Sequence, residues 1–160
     1  MKLLKQITNP ILMPHWLLDL LLAIPRIVCG YLLTVEFGSP KFGLPWSNPD
    51  NGLQLFEVAF WFPQDVAAYG GIFALAPIFF AWMAGFAEAI GGIALIVGFQ
   101  TRIFSFLITC TMLVAIFVQH AGKDLWMQLP AMSFMWTAIF ITALGSGRFG
   151  IDYLITKKIT

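Results

Sequence analysis

The chain has 160 residues, of which 59% are hydrophobic and only 11% are charged, and its formal net charge is +1. Soluble domains carry about 25% charged residues, so this composition excludes an ordinary soluble fold and indicates a multi-pass membrane protein. The near-neutral charge and the lack of a basic cluster argue against a nucleic-acid-binding function.

Four segments are long and apolar enough to cross a membrane, which takes about 20 residues per helix. We therefore expect an all-α, four-helix membrane bundle that forms a single domain over residues 1–160. The connections between the second, third and fourth spans are short, so these spans should be antiparallel neighbours. The expected spans cover residues 17–37, 72–97, 103–120 and 125–144.

The distribution of basic residues predicts the orientation of the bundle, because cytoplasmic loops carry an excess of Lys and Arg. If both termini are cytoplasmic, that side holds Lys2, Lys5, Arg102, Arg148, Lys157 and Lys158. The opposite side then holds only Lys41 and Lys123. We predict that both termini are cytoplasmic.

The long connection between the first two spans covers residues 38–71 and has two parts. Its first half is rich in Pro, Gly and Asn and is typical of turns. Its second half, residues 53–62, is aromatic and amphipathic but too short to span a membrane. It predicts a short helix, either at the membrane surface with Trp61 at headgroup level or as a cap on the bundle, and these two interpretations are compatible.

An acidic residue, Glu88, lies in the middle of the second span, where an ionisable group is costly. Its helical face also carries Gly85, Ala89 and Gly92. Small residues on one face allow close helix packing, so we expect Glu88 to face the bundle interior.

Arg26 in the first span is the predicted partner of Glu88. Counted from the same membrane side, both residues lie roughly 14–15 Å deep. We predict a buried ion pair, which could hold a ligand or could act as a structural clamp between the two spans.

Other polar residues fall near the ends of the spans. Glu36, Lys41 and His120 are expected on the outer side, either as a proton-relay or ligand-headgroup cluster or as markers of the membrane boundary. Asp19 is expected to be an anchor at the inner boundary.

The two cysteines, Cys29 and Cys110, match neither a redox pair nor a metal site, and no metal site is expected. We predict that both are buried, inert thiols.

The segment after the fourth span contains Gly145 and Gly147, which could end the helix with a positive φ. Arg148 and Asp152 follow, four residues apart, and can form an ion pair if a short helix continues. The alternative is a cytoplasmic docking point for a partner protein.

Four motifs carry a family resemblance: PRIVCG, GSPKFG, EAIGGIALIVGFQTR and GSGRFGID. With these motifs in this order, the chain resembles the DoxX family of small bacterial membrane proteins over nearly its whole length. One position departs from the pattern, since Phe37 stands where such proteins often carry histidine.

The resemblance implies a bacterial inner-membrane protein with a loose association with redox metabolism. Some relatives look like membrane subunits of thiosulfate:quinone oxidoreductase, and others accompany oxidative-stress or quinone-detoxification proteins. We therefore expect an accessory or ligand-binding subunit that holds a quinone or similar lipophile at Arg26 and Glu88.

No haem pair, flavin motif or cysteine pair is evident, so the chain itself is expected to hold no electron carrier and would need a redox partner protein. One hypothesis is that it forms the membrane subunit of a quinone-linked oxidoreductase. A small-molecule carrier and a non-catalytic scaffold are the alternatives, and a homo-oligomer could supply the surface that four spans lack.

Overall fold

The computed structural model describes residues 8–47 and 52–159, and these residues form an almost entirely helical protein. Within these ranges no β-strand is formed, and a single bridge pairs Phe42 with Val58. The helices are α1 (Trp16–Leu32), α2 (Trp61–Ala68), α3 (Gly71–Leu75), α4 (Pro77–Val97), α5 (Thr101–Val114), α6 (Leu125–Leu144) and α7 (Ile151–Ile159).

Four helical segments are long and apolar enough to cross a membrane, which confirms the predicted helical membrane bundle. The first and third are lengthened by π-helical turns at Leu33–Gly38 and Ala115–Gln119. In chain order, the spans are Trp16–Gly38, Pro77–Val97, Thr101–Gln119 and Leu125–Leu144. They alternate in direction. We call the side where the first span begins and the fourth ends the terminal face, and the opposite side the loop face.

The second span begins later than predicted, at Pro77 rather than at residue 72. Residues Gly71–Leu75 form the separate helix α3, and Ala76 between the two helices has φ −143° and ψ 59°. A proline disfavours helical geometry in the residue before it but fits the first turn of a helix. Pro77 therefore starts a helix.

The first two spans are in close contact through small residues. A Cβ atom added to Gly30 would lie 2.5 Å from the Gly92 carbonyl oxygen, so the backbones approach directly. The Thr34 hydroxyl donates a hydrogen bond to the Ala89 carbonyl at 3.0 Å. The predicted packing role of Ala89 and Gly92 is confirmed, whereas Gly85 packs under Phe42 of the long connection.

The largest apolar core lies between the four spans and is formed mainly by aliphatic side chains. Its buried members are Cys29, Leu33, Leu95, Ile108, Met112, Ile116, Ala131, Phe134, Ala138 and Ile141.

The long connection folds back onto the second span. The Gly43 amide donates to the Glu57 carbonyl at 2.8 Å, and the Ala59 amide donates to the Lys41 carbonyl at 2.9 Å. Phe42 between them is fully buried. Residues 53–60 are not helical, because their backbone forms hydrogen bonds with the first half of the connection. The short helix of this connection therefore begins only at Trp61.

Candidate functional site

Glu88 is buried, as predicted, but its partner is Lys41. The Lys41 Nζ atom lies 2.5 Å from Glu88 Oε2 and donates a hydrogen bond to it. The prediction that Glu88 pairs with Arg26 is therefore wrong.

The axial register of the first span against the second explains why Arg26 and Glu88 do not pair. Thr34 contacts the second span at Ala89, one residue from Glu88, whereas Arg26 contacts it at Leu95. The two charged residues are separated by about eight helical residues, or roughly 12 Å along the bundle axis. Equal depths counted from the span ends do not bring the two residues together, because the first span extends beyond the second at the terminal face.

Arg26 instead joins three parts of the chain at the terminal face. Its Nη1 atom donates to the Leu95 carbonyl at 2.5 Å, and its Nη2 atom donates to the Phe149 carbonyl at 2.7 Å. The residue is 1% exposed. These contacts link the first span to the second span and to the segment after the fourth, so Arg26 has the geometry of a structural clamp.

Lys41 is held in position by the folded connection. Its carbonyl oxygen accepts the hydrogen bond from Ala59, and its neighbour Phe42 is buried against the second span. The ammonium group also lies 5.2 Å from the centroid of the Phe62 ring, within the range of a cation–π contact. A residue of the loop face thus reaches the interior of the bundle.

The Lys41–Glu88 pair borders a cavity of about 270 Å³. Apart from this pair, the cavity is lined mostly by apolar side chains from α2, the second span and the third span. The lining residues are Lys41, Phe62, Val66, Tyr69, Phe73, Phe80, Met83, Ala84, Ala87, Glu88, Leu107, Cys110, Thr111, Val114, Ala115 and Gln119.

The polar end of this cavity has unused hydrogen-bonding capacity. Among the described residues, nothing donates to Glu88 Oε1, and Lys41 Nζ makes one hydrogen bond of the three that an ammonium can donate. Tyr69 also lines the cavity, and burial, together with the negative charges of Asp65 and Glu88, raises the pKa of its hydroxyl. Its hydroxyl therefore stays a hydrogen-bond donor at neutral pH.

The predicted cluster of Glu36, Lys41 and His120 is not formed. In the part of the chain that the structure describes, no hydrogen bond or ion pair joins these three side chains, and Glu36 is exposed. Burial and the positive charge of Lys123 lower the pKa of His120. Of the three, only Lys41 borders the cavity, because the connection turns it inward.

The predicted Arg148–Asp152 pair is also wrong. The Arg148 Nε atom lies 2.7 Å from Asp19 Oδ2, and Asp19 is fully buried rather than a boundary anchor. Helix α7 begins only at Ile151, so Arg148 lies before the helix and the four-residue spacing brings no contact. Gly145 and Gly147 have positive φ, as expected.

Asp152 binds the first turn of the third span. Its carboxylate accepts hydrogen bonds from the Gln100 and Thr101 amides at 2.8 and 2.9 Å and from the Thr101 hydroxyl at 2.7 Å. Free amides at a helix N-terminus need such acceptors. The motif GSGRFGID (residues 145–152), which we call the terminal motif, therefore links the helices at the terminal face.

The two cysteines differ in their surroundings. Cys29 is buried, as predicted, but Cys110 is exposed and lines the cavity, so that part of the prediction is wrong. Among the described residues, no group of three His, Cys, Asp or Glu side chains could hold a metal ion.

Four apolar helices, a sheltered ion pair and an internal cavity define the class of this protein as a multi-pass helical membrane protein. A family model described as DoxX matches residues 50–121. This match confirms, over residues 50–121, the resemblance to the DoxX family predicted from the motifs.

The matched segment contains the glutamate–glycine motif with Glu88, whereas the other three motifs lie outside it. No curated protein and no solved structure matches the chain.

Tyr69 and Phe62 were not predicted from the sequence as site residues. The only sequence motif that contains a residue bordering the cavity from the long connection is GSPKFG, with Lys41. Nothing in that motif shows which span its lysine contacts.

Proposed function

We propose that this protein binds a small lipophilic molecule of the quinone class in the cavity and serves as an accessory, ligand-binding component of a membrane redox system. The observation that supports this proposal is the Lys41–Glu88 pair, which presents a free carboxylate oxygen and free ammonium donors to a cavity that is otherwise mostly apolar. Charged groups in a membrane interior indicate function by default.

The chemistry of the site suits a ring that carries oxygen substituents. The Lys41 ammonium can donate to a carbonyl oxygen, and Glu88 Oε1 can accept from a hydroxyl group. Phe62, Phe73 and Phe80 offer apolar, aromatic surface to the ring. A quinone and its quinol differ in these two kinds of oxygen, so the pair can bind both forms.

The size of the cavity limits what can be enclosed. Pockets for drug-sized ligands have volumes of roughly 300–1,000 Å³. The volume of about 270 Å³ therefore suits a single substituted ring. We propose that electrons reach this ring from a partner redox protein, because the chain carries no motif for an electron carrier.

Mass spectrometry of small molecules extracted from protein purified gently out of native membranes tests this proposal. The wild type is compared with Glu88→Gln, which keeps the shape of the side chain and removes its charge. Glu36→Gln is the matched control, because it makes the same change on an exposed residue of the first span.

We expect a ring-containing lipophile in the wild type and in Glu36→Gln, and about tenfold less in Glu88→Gln, a loss of about 1.4 kcal/mol in binding free energy. If all three samples hold only bulk phospholipid, the ligand-binding proposal fails. The alternative function, a non-catalytic scaffold, would then be favoured.

A further inference from the structure

We propose that the cavity opens sideways into the bilayer, between the second and third spans, and that its ligand is an amphiphile. The polar ring lies at Lys41 and Glu88, and an apolar chain passes through the opening into the lipid. This inference rests on the proposed function and adds two points: the route by which the ligand enters the cavity, and the chemical class of the ligand.

The position of the opening follows from the exposed part of the lining. Cys110 is exposed, and Leu107, Thr111 and Val114 beside it are half-buried. Cys110 lies midway along the span Thr101–Gln119. Its distance from either end is about nine residues, or roughly 13 Å, which corresponds to the hydrocarbon region of a bilayer.

Apart from the weakly polar Cys110 thiol, the rim of the opening presents no free polar group to the lipid. Phe80, Met83 and Ala84 of the second span are half-buried and line the opposite wall. The hydroxyl of Thr111 donates to the Leu107 carbonyl at 3.1 Å, within its own helix. Such a rim suits an alkyl or isoprenoid chain.

At the loop face, the cavity is more closed than it is between the second and third spans. Phe62 and Val66 of α2 are 7% and 3% exposed and pack on Ala81 of the second span. Lys41 lies against the Phe62 ring. Gln119 is the exposed polar residue of the lining at this face, and it marks the alternative route from water.

Two probes test the route: a benzoquinone with a decyl tail and the same ring with a methyl group in place of the tail. Each is equilibrated with the protein in lipid nanodiscs, and native mass spectrometry counts the probe molecules bound per protein. Cys110→Trp and Val114→Trp narrow the proposed opening, and Gln119→Trp narrows the route from water. Leu113→Trp is the matched control, because Leu113 is exposed on the same span and does not line the cavity.

We expect Cys110→Trp and Val114→Trp to lower the occupancy of the tailed probe about tenfold and to keep that of the tailless ring, because only the tail needs the opening. Leu113→Trp should bind both probes as the wild type does, and Gln119→Trp should keep more of the tailed probe than Cys110→Trp does. Retention of the tailless ring also shows that the inner site is still folded.

Two results overturn the inference while the proposed function stands. In the first, Gln119→Trp loses the tailed probe and Cys110→Trp keeps it, which places the route at the loop face. In the second, both variants of the opening lose both probes, which places these residues in the inner site. If the wild type binds neither probe, the quinone assignment of the proposed function fails instead.

Discussion

At the scale of single residues, the Lys41–Glu88 pair is the central feature of the molecule. Two charges removed from water lose solvation energy that their attraction repays only in part, so such a pair is a weak source of stability. Breaking the pair by removing one charge is costly, because the other is then left buried. Stability and ligand binding can therefore be separated experimentally at this site.

Lys41→Met should destabilise the protein by about 2–3 kcal/mol, since it leaves Glu88 unpaired. This is less than the roughly 3–5 kcal/mol of a fully buried pair, because the lysine side chain is 20% exposed. Denaturant unfolding in detergent measures the free-energy change.

The double variant Lys41→Met/Glu88→Met should recover most of this stability and bind no ligand. If the double variant is as unstable as the single one, the pair contributes more to folding than its solvation cost suggests. If it keeps its ligand, the pair is not the binding site.

At the scale of secondary-structure elements, the segment after the fourth span ties the terminal face together. Phe149 accepts from Arg26, Arg148 pairs with Asp19, and Asp152 binds the first turn of the third span. Elements that lie apart in the chain are thereby linked by partly buried polar contacts. This network explains the terminal motif without a docked partner.

Asp152→Ala should destabilise the protein by about 2 kcal/mol, because it leaves the amides of Gln100 and Thr101 and the Thr101 hydroxyl without their acceptor. Asp124→Ala is the control. Asp124 is an exposed cap of α6 that accepts from Leu125, so its loss should cost about 0.5–1 kcal/mol.

Unfolding of both variants in detergent gives the two values. If the two variants lose the same small free energy of unfolding, Asp152 contributes no more than an ordinary exposed cap. The terminal motif would then need another explanation.

At the scale of the whole molecule, the alternating spans place both ends of the bundle at one face. The distribution of basic residues predicts that this face, and with it both termini, is cytoplasmic. The difference in the number of basic residues between the two faces is large enough to predict one orientation, which can be tested directly.

A reporter fused after the last residue should be active only as a cytoplasmic reporter: green fluorescent protein should fluoresce and alkaline phosphatase should be inactive. The same reporters inserted near Gly122, between the third and fourth spans, should give the opposite result, which makes this insertion the control. Active phosphatase at the C-terminus would reverse the predicted orientation.

The class of fold, the number of spans and the burial of Glu88 could all be predicted from the sequence. These properties depend on local hydrophobicity and on helical periodicity, which can be read from neighbouring residues. The second span begins at Pro77, five residues after its predicted start, because hydrophobicity alone does not show that the proline begins a new helix.

Which charged residues form ion pairs depends on how the helices pack against each other. The axial shift of the first span against the second moves Arg26 away from Glu88, and the folded connection brings Lys41 in its place. Both depend on long-range packing, such as the contact of Gly30 with Gly92 and the burial of Phe42 against Ala89. The energy of such contacts depends on shape across elements, and no local pattern in the chain records it.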